Sequence, residues 1–230
     1  MKLIAIGDIH GRNCLQNLRD VDCDFFIFIG DYFDAYEDIS TDEEIINFLR
    51  ILKFKREFPE KVILLFGNHD FHYLKNSTQM YSRYNFNNYS LLEDSMEIAM
   101  KENLLQICFK NEHFLFSHAG ITKTWLENSG IVNDENLVKN INSALYENPQ
   151  VFEFINKTDT KPNGKNTYQS PIWLRPECLK EDGLENYIQV IGHTKQKAIS
   201  HQNNLILIDA LGSSNEYLCI ENNEISVVKF

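Results

Sequence analysis

The sequence Lys2-Leu3-Ile4-Ala5-Ile6-Gly7-Asp8-Ile9-His10 is a short apolar run that leads into a turn with metal-ligand side chains. Four later segments, at 23–30, 61–67, 113–117 and 187–192, repeat this arrangement, and each is followed by Asp, Asn or His. All five runs are rich in Ile, Val, Leu or Phe, as strands buried on both faces are. Because the carboxyl ends of parallel strands meet at one edge of an open α/β sheet, the pattern predicts an α/β fold whose functional site lies at that edge.

The turns after these runs contain the ligands that a pair of divalent metal ions requires. Two ions about 3.5–4 Å apart need roughly six oxygen or nitrogen ligands, including a carboxylate that bridges them. The candidate ligands are Asp8, His10, Asp31, Asn68, His118 and His193. Since the set has no thiolate, it favours two divalent ions such as Mn(II), with Fe or Zn as alternatives, over Cu(I) or an iron–sulfur cluster. We expect Asp31, on the second strand, to bridge the two ions of a hydrolytic centre.

Length and composition limit the class of protein. The 230 residues suit one α/β domain with a core large enough to fold without disulfides. A formal net charge of −11 argues against long nucleic acid as a partner, because binding to its phosphates needs Lys and Arg. The five cysteines are scattered and form no Cys-x-x-Cys pair, which indicates a reducing compartment. No apolar stretch is long enough to span a membrane, and the first strand leaves no room for a signal peptide, so we expect a cytoplasmic protein with no membrane partner.

We expect residues 1–230 to form a single domain. Ser40-Thr41-Asp42-Glu43 is typical of a helix start with a capping box, and the helix that follows would cross over to the strand at 61–67. A partly helical insertion at about 71–112 interrupts the strand pattern directly after the third turn, so it would lie over the metal edge. Its aromatic residues indicate packing of a small core more than a binding platform. A polar loop at about 157–178 would lie on the substrate side.

Five motifs in these turns resemble those of the calcineurin-like metallophosphoesterases. They are Gly7-Asp8-Ile9-His10-Gly11, Gly30-Asp31-Tyr32-Phe33-Asp34, Gly67-Asn68-His69-Asp70, Ser117-His118-Ala119-Gly120 and Gly192-His193-Thr194. Within that superfamily the chain is most similar to the branch of serine/threonine phosphoprotein phosphatases and diadenosine tetraphosphatases, and the resemblance extends from Asp8 to Asp209. It implies a four-layer α/β/β/α sandwich with two central mixed β-sheets and a site at the carboxyl ends of the strands.

The resemblance also implies how the candidate ligands are divided between the two metal ions. The first ion would be bound by Asp8, His10 and Asp31. The second ion would be bound by the bridging Asp31 and by Asn68, His118 and His193. The ions would lower the pKa of a bridging water and align it for in-line attack on phosphorus.

Three further residues match functional positions of the family. His69 matches the general acid that protonates the leaving group, and Asp34 matches the carboxylate that orients this histidine. An imidazolium held by a carboxylate can donate a proton near neutral pH, which agrees with this role. Arg175 lies between the fourth and fifth turns, where the family places a phosphate-binding arginine, and its planar fork can bind two phosphate oxygens. A surface salt bridge is the alternative for Arg175.

The motifs also differ from the protein-phosphatase branch at three points. The third motif ends in Asp70, where that branch has glutamate. Asp34 is followed by Ala35, where that branch has a phosphate-binding arginine. Thr194 is followed by Lys195, where many members of the superfamily have a second histidine. We therefore expect the first metal ion to have three protein ligands.

Three other polar residues near the motifs receive no catalytic role. Arg12 could replace the missing arginine, but we expect it to be a solvated charge. His72 lies three residues after His69 and could support the site, but we expect ordinary packing. Asp209 follows the apolar run at 205–208, and we expect it to form structural hydrogen bonds rather than to bind metal.

These observations predict a dinuclear metal-dependent phosphoesterase that hydrolyses phosphomonoesters of proteins or small molecules. A nucleotide anhydride hydrolase of the diadenosine tetraphosphatase type is the alternative, with Tyr81 or Tyr84 of the insertion stacking a base. A phosphodiesterase is a further alternative. A scaffold with a decayed site is the non-enzymatic interpretation, and the complete ligand set together with the Asp34–His69 pair argues against it.

Overall fold

Two β-sheets lie at the centre of the structure, which is a computed structural model that describes residues 1–18, 20–75, 77, 79–156 and 163–230. The strands are β1 (Lys2–Ile6), β2 (Phe25–Phe28), β3 (Val62–Leu65), β4 (Leu105–Gln106), β5 (Cys108–Asn111), β6 (Phe114–Ser117), β7 (Ile188–Ile191), β8 (Ser200–Gln202), β9 (Leu205–Leu207), β10 (Glu216–Glu221) and β11 (Glu224–Lys229). The spatial order is β11-β10-β1-β2-β3-β4 in sheet A and β5-β6-β7-β9-β8 in sheet B.

Helices connect these strands and cover the sheets. They are α1 (Leu15–Leu18), α2 (Thr41–Glu57), α3 (Asn68–Phe71), α4 (Tyr89–Lys101), α5 (Lys123–Ser129), α6 (Leu137–Glu147), α7 (Pro176–Asp182) and α8 (Leu211–Ser214). A short 3-10 helix at Pro149–Phe152 follows α6.

Both sheets are mixed, and their parallel strands determine where the candidate ligands meet. In sheet A, β1 to β4 are parallel, and β10 and β11 extend the sheet in antiparallel pairs. In sheet B, β6, β7 and β9 are parallel, and β5 and β8 pair antiparallel at the two edges. The carboxyl ends of β1, β2 and β3 therefore lie along one edge of sheet A, and those of β6 and β7 along one edge of sheet B.

The two sheets pack against each other through one buried apolar cluster. Leu3 of β1 and Ile27 of β2 belong to this cluster, together with Phe116 of β6, Val190 of β7 and Ile206 of β9. All five side chains are almost completely buried. This cluster forms the layer between the two sheets.

Helices cover the outer face of each sheet. Ile4 and Leu64 of sheet A belong to a second cluster with Phe48 of α2. Ile191 of sheet B packs in a third cluster with Leu179 of α7. Because successive side chains of a strand point to opposite faces, both faces of the central strands are apolar, which explains the uninterrupted apolar runs in the sequence. The predicted four-layer α/β/β/α sandwich with two mixed sheets is confirmed.

Helix α2 begins at the capping box that the sequence predicts. The Ser40 hydroxyl accepts a hydrogen bond from the backbone N–H of Glu43 at 3.3 Å, and the Glu43 carboxylate accepts one from the backbone N–H of Ser40 at 3.0 Å. These bonds satisfy amide groups that the first turn of a helix leaves without a partner. The acidic side chains of Asp42, Glu43 and Glu44 in this turn also interact favourably with the helix dipole.

The segment after the third turn is more regular than the sequence suggested. Helix α4 forms the helical part of the insertion predicted at about 71–112. Strands β4 and β5 follow it, one in each sheet, so the last residues of this segment continue the strand pattern. Of the polar loop predicted at about 157–178, residues 157–162 lie outside the described residues, and Pro176 already begins α7.

The structure also bears on two expectations drawn from composition. All five cysteines are buried free thiols. Burial raises the pKa of the Cys14 thiol to about 12, which keeps it protonated and unreactive. Among the described residues, no helix is both long and apolar enough to cross a membrane.

Replacing Ser40 with alanine removes the capping hydroxyl of α2 without changing the core. We expect Ser40→Ala to lower the free energy of unfolding by about 1 kcal/mol, because the amide of Glu43 loses its acceptor. Urea unfolding followed by circular dichroism measures this difference. Ser90→Ala, at an exposed position inside α4, is the matched control and should leave stability unchanged or slightly higher. Equal losses in both variants would contradict a capping role for Ser40.

Candidate metal centre

The candidate ligands come together where the carboxyl edges of the two sheets meet. Asp8 follows β1, Asp31 follows β2 and Asn68 begins α3 directly after β3. His118 and His193 follow β6 and β7 of the other sheet. The two edges are joined directly, because the backbone N–H of His193 donates a hydrogen bond to the Asp8 carboxylate at 3.0 Å. The structure thus gathers the turns that the sequence singled out.

Four residues of this region have a left-handed backbone conformation, which is unfavourable for residues other than glycine. The backbone angle φ is 44° at His10, 51° at Asp31, 61° at Asp34 and 61° at His193. Such conformations cost on the order of 1–3 kcal/mol each and persist only where surrounding contacts enforce them. One such contact is the hydrogen bond from the backbone N–H of His10 to the carbonyl of Asp31, at 2.6 Å. The sharp turns let each ligand follow its strand directly.

Two glycines provide the room in which the buried carboxylates lie. A Cβ atom at Gly192 would overlap a carboxylate oxygen of Asp8, and one at Gly67 would overlap a carboxylate oxygen of Asp31. Any other residue at these positions would displace the candidate ligand. The glycines of the third and fifth motifs therefore have a steric role in the site.

Asp8, His10 and Asp31 form the first group of candidate ligands. Their ligand atoms all lie within 4.8 Å of one another, and all three residues are buried. The Nδ1 atom of His10 donates a hydrogen bond to the carbonyl of Phe33 at 2.8 Å. This bond leaves Nε2, which lies 3.7 Å from a carboxylate oxygen of Asp31, with its lone pair free to bind metal.

Asp31, His118 and His193 form the second group, and Asn68 lies beside them. The Nδ1 atom of His118 donates to the carbonyl of Ile29 at 3.0 Å, so its Nε2 carries a lone pair. This Nε2 atom lies 3.0 Å from Oδ1 of Asn68 and 3.4 Å from a carboxylate oxygen of Asp31. The lone pair on Nε2 of His118 therefore faces oxygen lone pairs of Asn68 and Asp31, with no proton between them. A cation bound between these atoms would remove the repulsion between their lone pairs. Asp31 belongs to both groups of candidate ligands.

The protonation states in the site also suit divalent cations. Burial, followed by repulsion from Asp209, raises the pKa of Asp8, and burial, followed by repulsion from Asp8, raises that of Asp31. Within the described residues, neither carboxylate forms an ion pair with Lys or Arg. Burial lowers the pKa of His10 and of His118 to about 3, so both imidazoles are neutral. Neutral imidazoles beside uncompensated carboxylates are a donor set that fits divalent metal ions.

Asp70, the last residue of the third motif, holds the bridging position in place. Its buried carboxylate accepts hydrogen bonds from the backbone N–H groups of Asp31 at 2.9 Å, Tyr32 at 2.8 Å and Gly67 at 2.8 Å. These bonds tie the turn after β2 to the turn after β3. The shorter side chain of aspartate, where the protein-phosphatase branch has glutamate, is sufficient for this link.

His69 and Asp34 form the pair that the sequence predicted. The Nδ1 atom of His69 donates to a carboxylate oxygen of Asp34 at 2.7 Å, and its backbone N–H donates to Asp31 at 2.8 Å. Two further side chains also reach Asp34: His72 through Nε2 at 2.7 Å and Tyr73 through its hydroxyl at 2.6 Å. The sequence favoured packing for His72 and did not single out Tyr73. Their spacing of three and four residues from His69, which places them on one side of a helical turn, was the available signal.

A cavity of about 200 Å³ opens over the candidate ligands and is lined in part by cationic side chains. Arg175 lies in its wall, where its guanidinium donates to the carbonyl of His193 and to the hydroxyl of Thr194, both at 3.2 Å. No carboxylate among the described residues forms an ion pair with Arg175, so the surface salt bridge considered for it is absent from the described part of the chain. Lys195 and the exposed ring of Tyr36 also line the cavity.

Arg12 and Asp209 lie in the wall of the same cavity. Arg12 is not a solvated charge, because its guanidinium forms two hydrogen bonds with Glu37, at 2.6 and 2.8 Å. Asp209 lines the cavity together with Asp8, and burial raises the pKa of Asp209 to about 6. The structural hydrogen bonds expected of the Asp209 side chain stay a prediction, and its position at the cavity was not expected from the sequence.

A set of imidazole and carboxylate ligands beside a histidine–aspartate pair is typical of metal-dependent hydrolases. The sequence model of the calcineurin-like phosphoesterases matches residues 1–204. The chain belongs to this family, and it is a hydrolase that acts on phosphoester bonds. The family uses divalent metal ions, for which the two groups described above are the candidate ligands.

One solved structure supports the fold, and a second is given beside it for comparison. The cold-active protein-tyrosine phosphatase of a psychrophilic Shewanella species is 19% identical and superposes with a TM-score of 0.65, over 98% of this chain and 77% of that chain. A metallophosphoesterase from Sphaerobacter thermophilus is 13% identical, with a TM-score of 0.47 over 100% of this chain and 88% of that chain. None of the curated proteins compared with the chain matches it. The predicted family, fold and enzyme class are confirmed, and the roles of individual residues stay predictions.

Asp209 should destabilise the metal-free protein in a pH-dependent way. Its pKa is raised from 3.8 to about 6 by burial, so between these values the unfolded chain has lost a proton that the folded chain keeps. Stability that is present below pH 4 is therefore lost as the pH rises to about 6. We expect Asp209→Asn to raise the free energy of unfolding on the order of 1 kcal/mol at pH 7.5 and much less at pH 3.5.

Urea unfolding in the presence of a chelator, at these two pH values, tests this expectation. Asp38→Asn, at an exposed position in the loop before α2, is the matched control. An equal effect of Asp209→Asn at both pH values would contradict the raised pKa.

Proposed function

We propose that the chain is a phosphomonoesterase that uses two divalent metal ions, with Mn(II) as the first candidate, to hydrolyse phosphomonoesters of proteins or small molecules. The strongest support is the position of His69, whose backbone N–H contacts the shared ligand Asp31 while its ring is held by Asp34. A proton donor thus lies directly beside the point that both ligand groups share. An alkyl phosphate needs this arrangement, because its leaving group departs as an alkoxide unless it receives a proton.

The cavity supports a terminal phosphoryl group as the part of the substrate that enters. At about 200 Å³ it has room for a phosphoryl group, and it opens directly over the candidate ligands. Arg175 and Lys195 line it, and neither is in an ion pair within the described residues. Their charges suit the two negative charges of a monoester, and the guanidinium of Arg175 can bind two phosphoryl oxygens at once.

The proposed mechanism divides the chemistry between the ions and the side chains. When bound, divalent ions supply a water of lowered pKa and polarise the phosphoryl oxygens. Asp8, His10, Asn68 and His193, with the shared Asp31, would hold the ions, as would His118. His69 uses Nδ1 to donate to Asp34, which leaves Nε2 to carry the proton for the leaving-group oxygen. Arg175 would bind and orient the phosphoryl group.

The direct test compares a monoester with a diester. We expect Mn(II)-dependent hydrolysis of 4-nitrophenyl phosphate to exceed that of bis(4-nitrophenyl) phosphate and to disappear with a chelator. His69→Asn should lower kcat for an alkyl phosphate by about 10²–10⁴, the usual contribution of a general acid, without loss of bound metal. His201→Asn, at an exposed position in β8, is the matched control and should not change kcat. Preference for the diester, or an unchanged kcat in His69→Asn, would contradict the proposal.

A comparison of phosphopeptides with small phosphomonoesters would define the physiological class of monoester. The Shewanella neighbour is described as a protein-tyrosine phosphatase, so phosphotyrosine, phosphoserine and small phosphomonoesters should be compared side by side. The substrate with the highest kcat/KM would identify the class on which this chain acts.

A nucleotide anhydride hydrolase is the second candidate, and one observation favours it. Tyr36 is 51% exposed and lines the cavity, where its ring could stack on a base. Tyr81 and Tyr84, which the sequence suggested for this purpose, pack internally instead: Tyr81 lies 4.1 Å from the ring of Trp173, and Tyr84 stacks on Tyr73 at 5.3 Å.

Stacking on Tyr36 makes a specific prediction. If nucleotides are the substrates, Tyr36→Leu should raise KM for a dinucleoside polyphosphate several-fold and leave KM for 4-nitrophenyl phosphate unchanged. Steady-state kinetics with both substrates measures this. Parallel changes in the two KM values would argue against base stacking.

A further inference from the structure

Asp34 accepts three side-chain hydrogen bonds, and only the one from His69 belongs to the predicted catalytic pair. His69 and His72 donate to the same carboxylate oxygen, each at 2.7 Å, and the Tyr73 hydroxyl donates to the other oxygen at 2.6 Å. Asp34, His72 and Tyr73 are 5%, 4% and 1% exposed, so water does not compete for these bonds. Both oxygens of the carboxylate are fixed, and the carboxyl group cannot rotate away from His69.

His72 is held in one tautomer at some cost to stability. Burial lowers its pKa, so the ring is neutral and its single proton lies on Nε2, the atom that faces Asp34. Its Nδ1 atom is buried and has no hydrogen-bond partner among the described residues. A residue that served packing alone would avoid such an unsatisfied atom, because leaving a polar group buried without a partner is unfavourable. The bond to Asp34 therefore accounts for the presence of a histidine at this buried position.

Aromatic residues of the insertion hold these two donors in position. The ring of Tyr73 stacks on Tyr84 at 5.3 Å, and its hydroxyl accepts a hydrogen bond from the backbone N–H of Asn85 at 3.0 Å. The ring of His72 packs edge-on against Tyr84 at 5.1 Å and lies parallel to Tyr81 at 6.0 Å. Asp34 itself has a left-handed backbone, with φ of 61°, and such a residue keeps its geometry only where its surroundings enforce it.

We propose that His72 and Tyr73 are positioning residues for proton transfer, which hold Asp34 so that the His69 ring presents its proton to the leaving group. The inference rests on the proposed function. In the step concerned, the oxygen of a water forms a new bond to phosphorus, the hydrogens of that water stay with the phosphate product, and the bond to the leaving-group oxygen breaks. The electron pair of the broken bond stays on that oxygen, which takes the Nε2 proton of His69.

The test uses the dependence of the rate on the leaving group. A misplaced proton donor slows hydrolysis of an alkyl phosphate, whose leaving group needs the proton, and has little effect on 4-nitrophenyl phosphate, whose leaving group is a stable anion. We expect Tyr73→Phe and His72→Phe each to lower kcat for phosphoserine by about ten-fold or more and to change kcat for 4-nitrophenyl phosphate by less than about three-fold. His72→Gln, whose amide N–H can replace the Nε2 donor, should restore most of the loss.

Tyr146→Phe is the matched control. Its hydroxyl donates to the carbonyl of Leu105 at 2.6 Å, the same distance as the bond from Tyr73 to Asp34, but it lies on α6 away from this network. It should leave the ratio of the two rates unchanged. Melting temperature and metal content of each variant show that the compared proteins are folded and loaded. Equal losses with both substrates would overturn the positioning role and leave a structural one.

A second measurement is independent of activity. In the Zn(II)-loaded protein, the Nδ1 proton of His69 should give a downfield, slowly exchanging ¹H resonance because of its bond to Asp34. This resonance should shift or broaden in His72→Phe and Tyr73→Phe and stay unchanged in Tyr146→Phe. An unchanged resonance in all three variants would overturn the inference. The proposed function fails if the wild type does not hydrolyse monoesters or if His69→Asn shows no selective loss of kcat for phosphoserine. In that case the resonance of the His69 proton still tests whether His72 and Tyr73 position Asp34.

Discussion

The carboxylates of Asp8 and Asp31, buried at the junction of the two sheets, are the constraint on which the rest of the site depends. Asp8 accepts a hydrogen bond from the backbone of His193, and Asp31 accepts one from the backbone of His69. Each carboxylate thus fixes the turn that carries another functional side chain. Hydrogen bonds from backbone amides compensate only part of the loss of water around a buried charge, and cations would supply the remainder. The same two groups are therefore links in the fold and candidate ligands, so the architecture and the chemistry of this edge cannot be separated.

Much of this arrangement could be predicted from sequence because the central strands are buried on both faces. Such strands produce continuous apolar runs, and the carboxyl ends of parallel strands converge, so the sequence alone places Asp8, Asp31 and Asn68 at one edge. The start of α2 was equally predictable, since a capping box is a local pattern of residues close in sequence.

Contacts that depend on how distant segments pack were not predictable in the same way. Strands β4 and β5 have only two and four residues, which is too short for a periodic pattern in the sequence, and they belong to different sheets. The ion pair of Arg12 with Glu37 joins two loops, and nothing in the sequence around either residue indicates it. The sequence does not indicate the bond made by His72, because its partner, Asp34, lies 38 residues away and only the folded insertion brings the two together. The aromatic residues that pack against His72 and Tyr73 in that insertion support the candidate site and do not bind a substrate directly.

The left-handed turns at His10, Asp31, Asp34 and His193 give the candidate site its geometry at a cost to the stability of the fold. Each turn forces a side-chain-bearing residue into a conformation that glycine would adopt freely, and each of these side chains is a candidate ligand or, at Asp34, the partner of the candidate proton donor. A lineage under selection for heat tolerance alone would relax these positions first and would lose catalysis as it gained robustness. Four such residues at one edge mark the place where unfavourable backbone geometry and the candidate chemistry coincide.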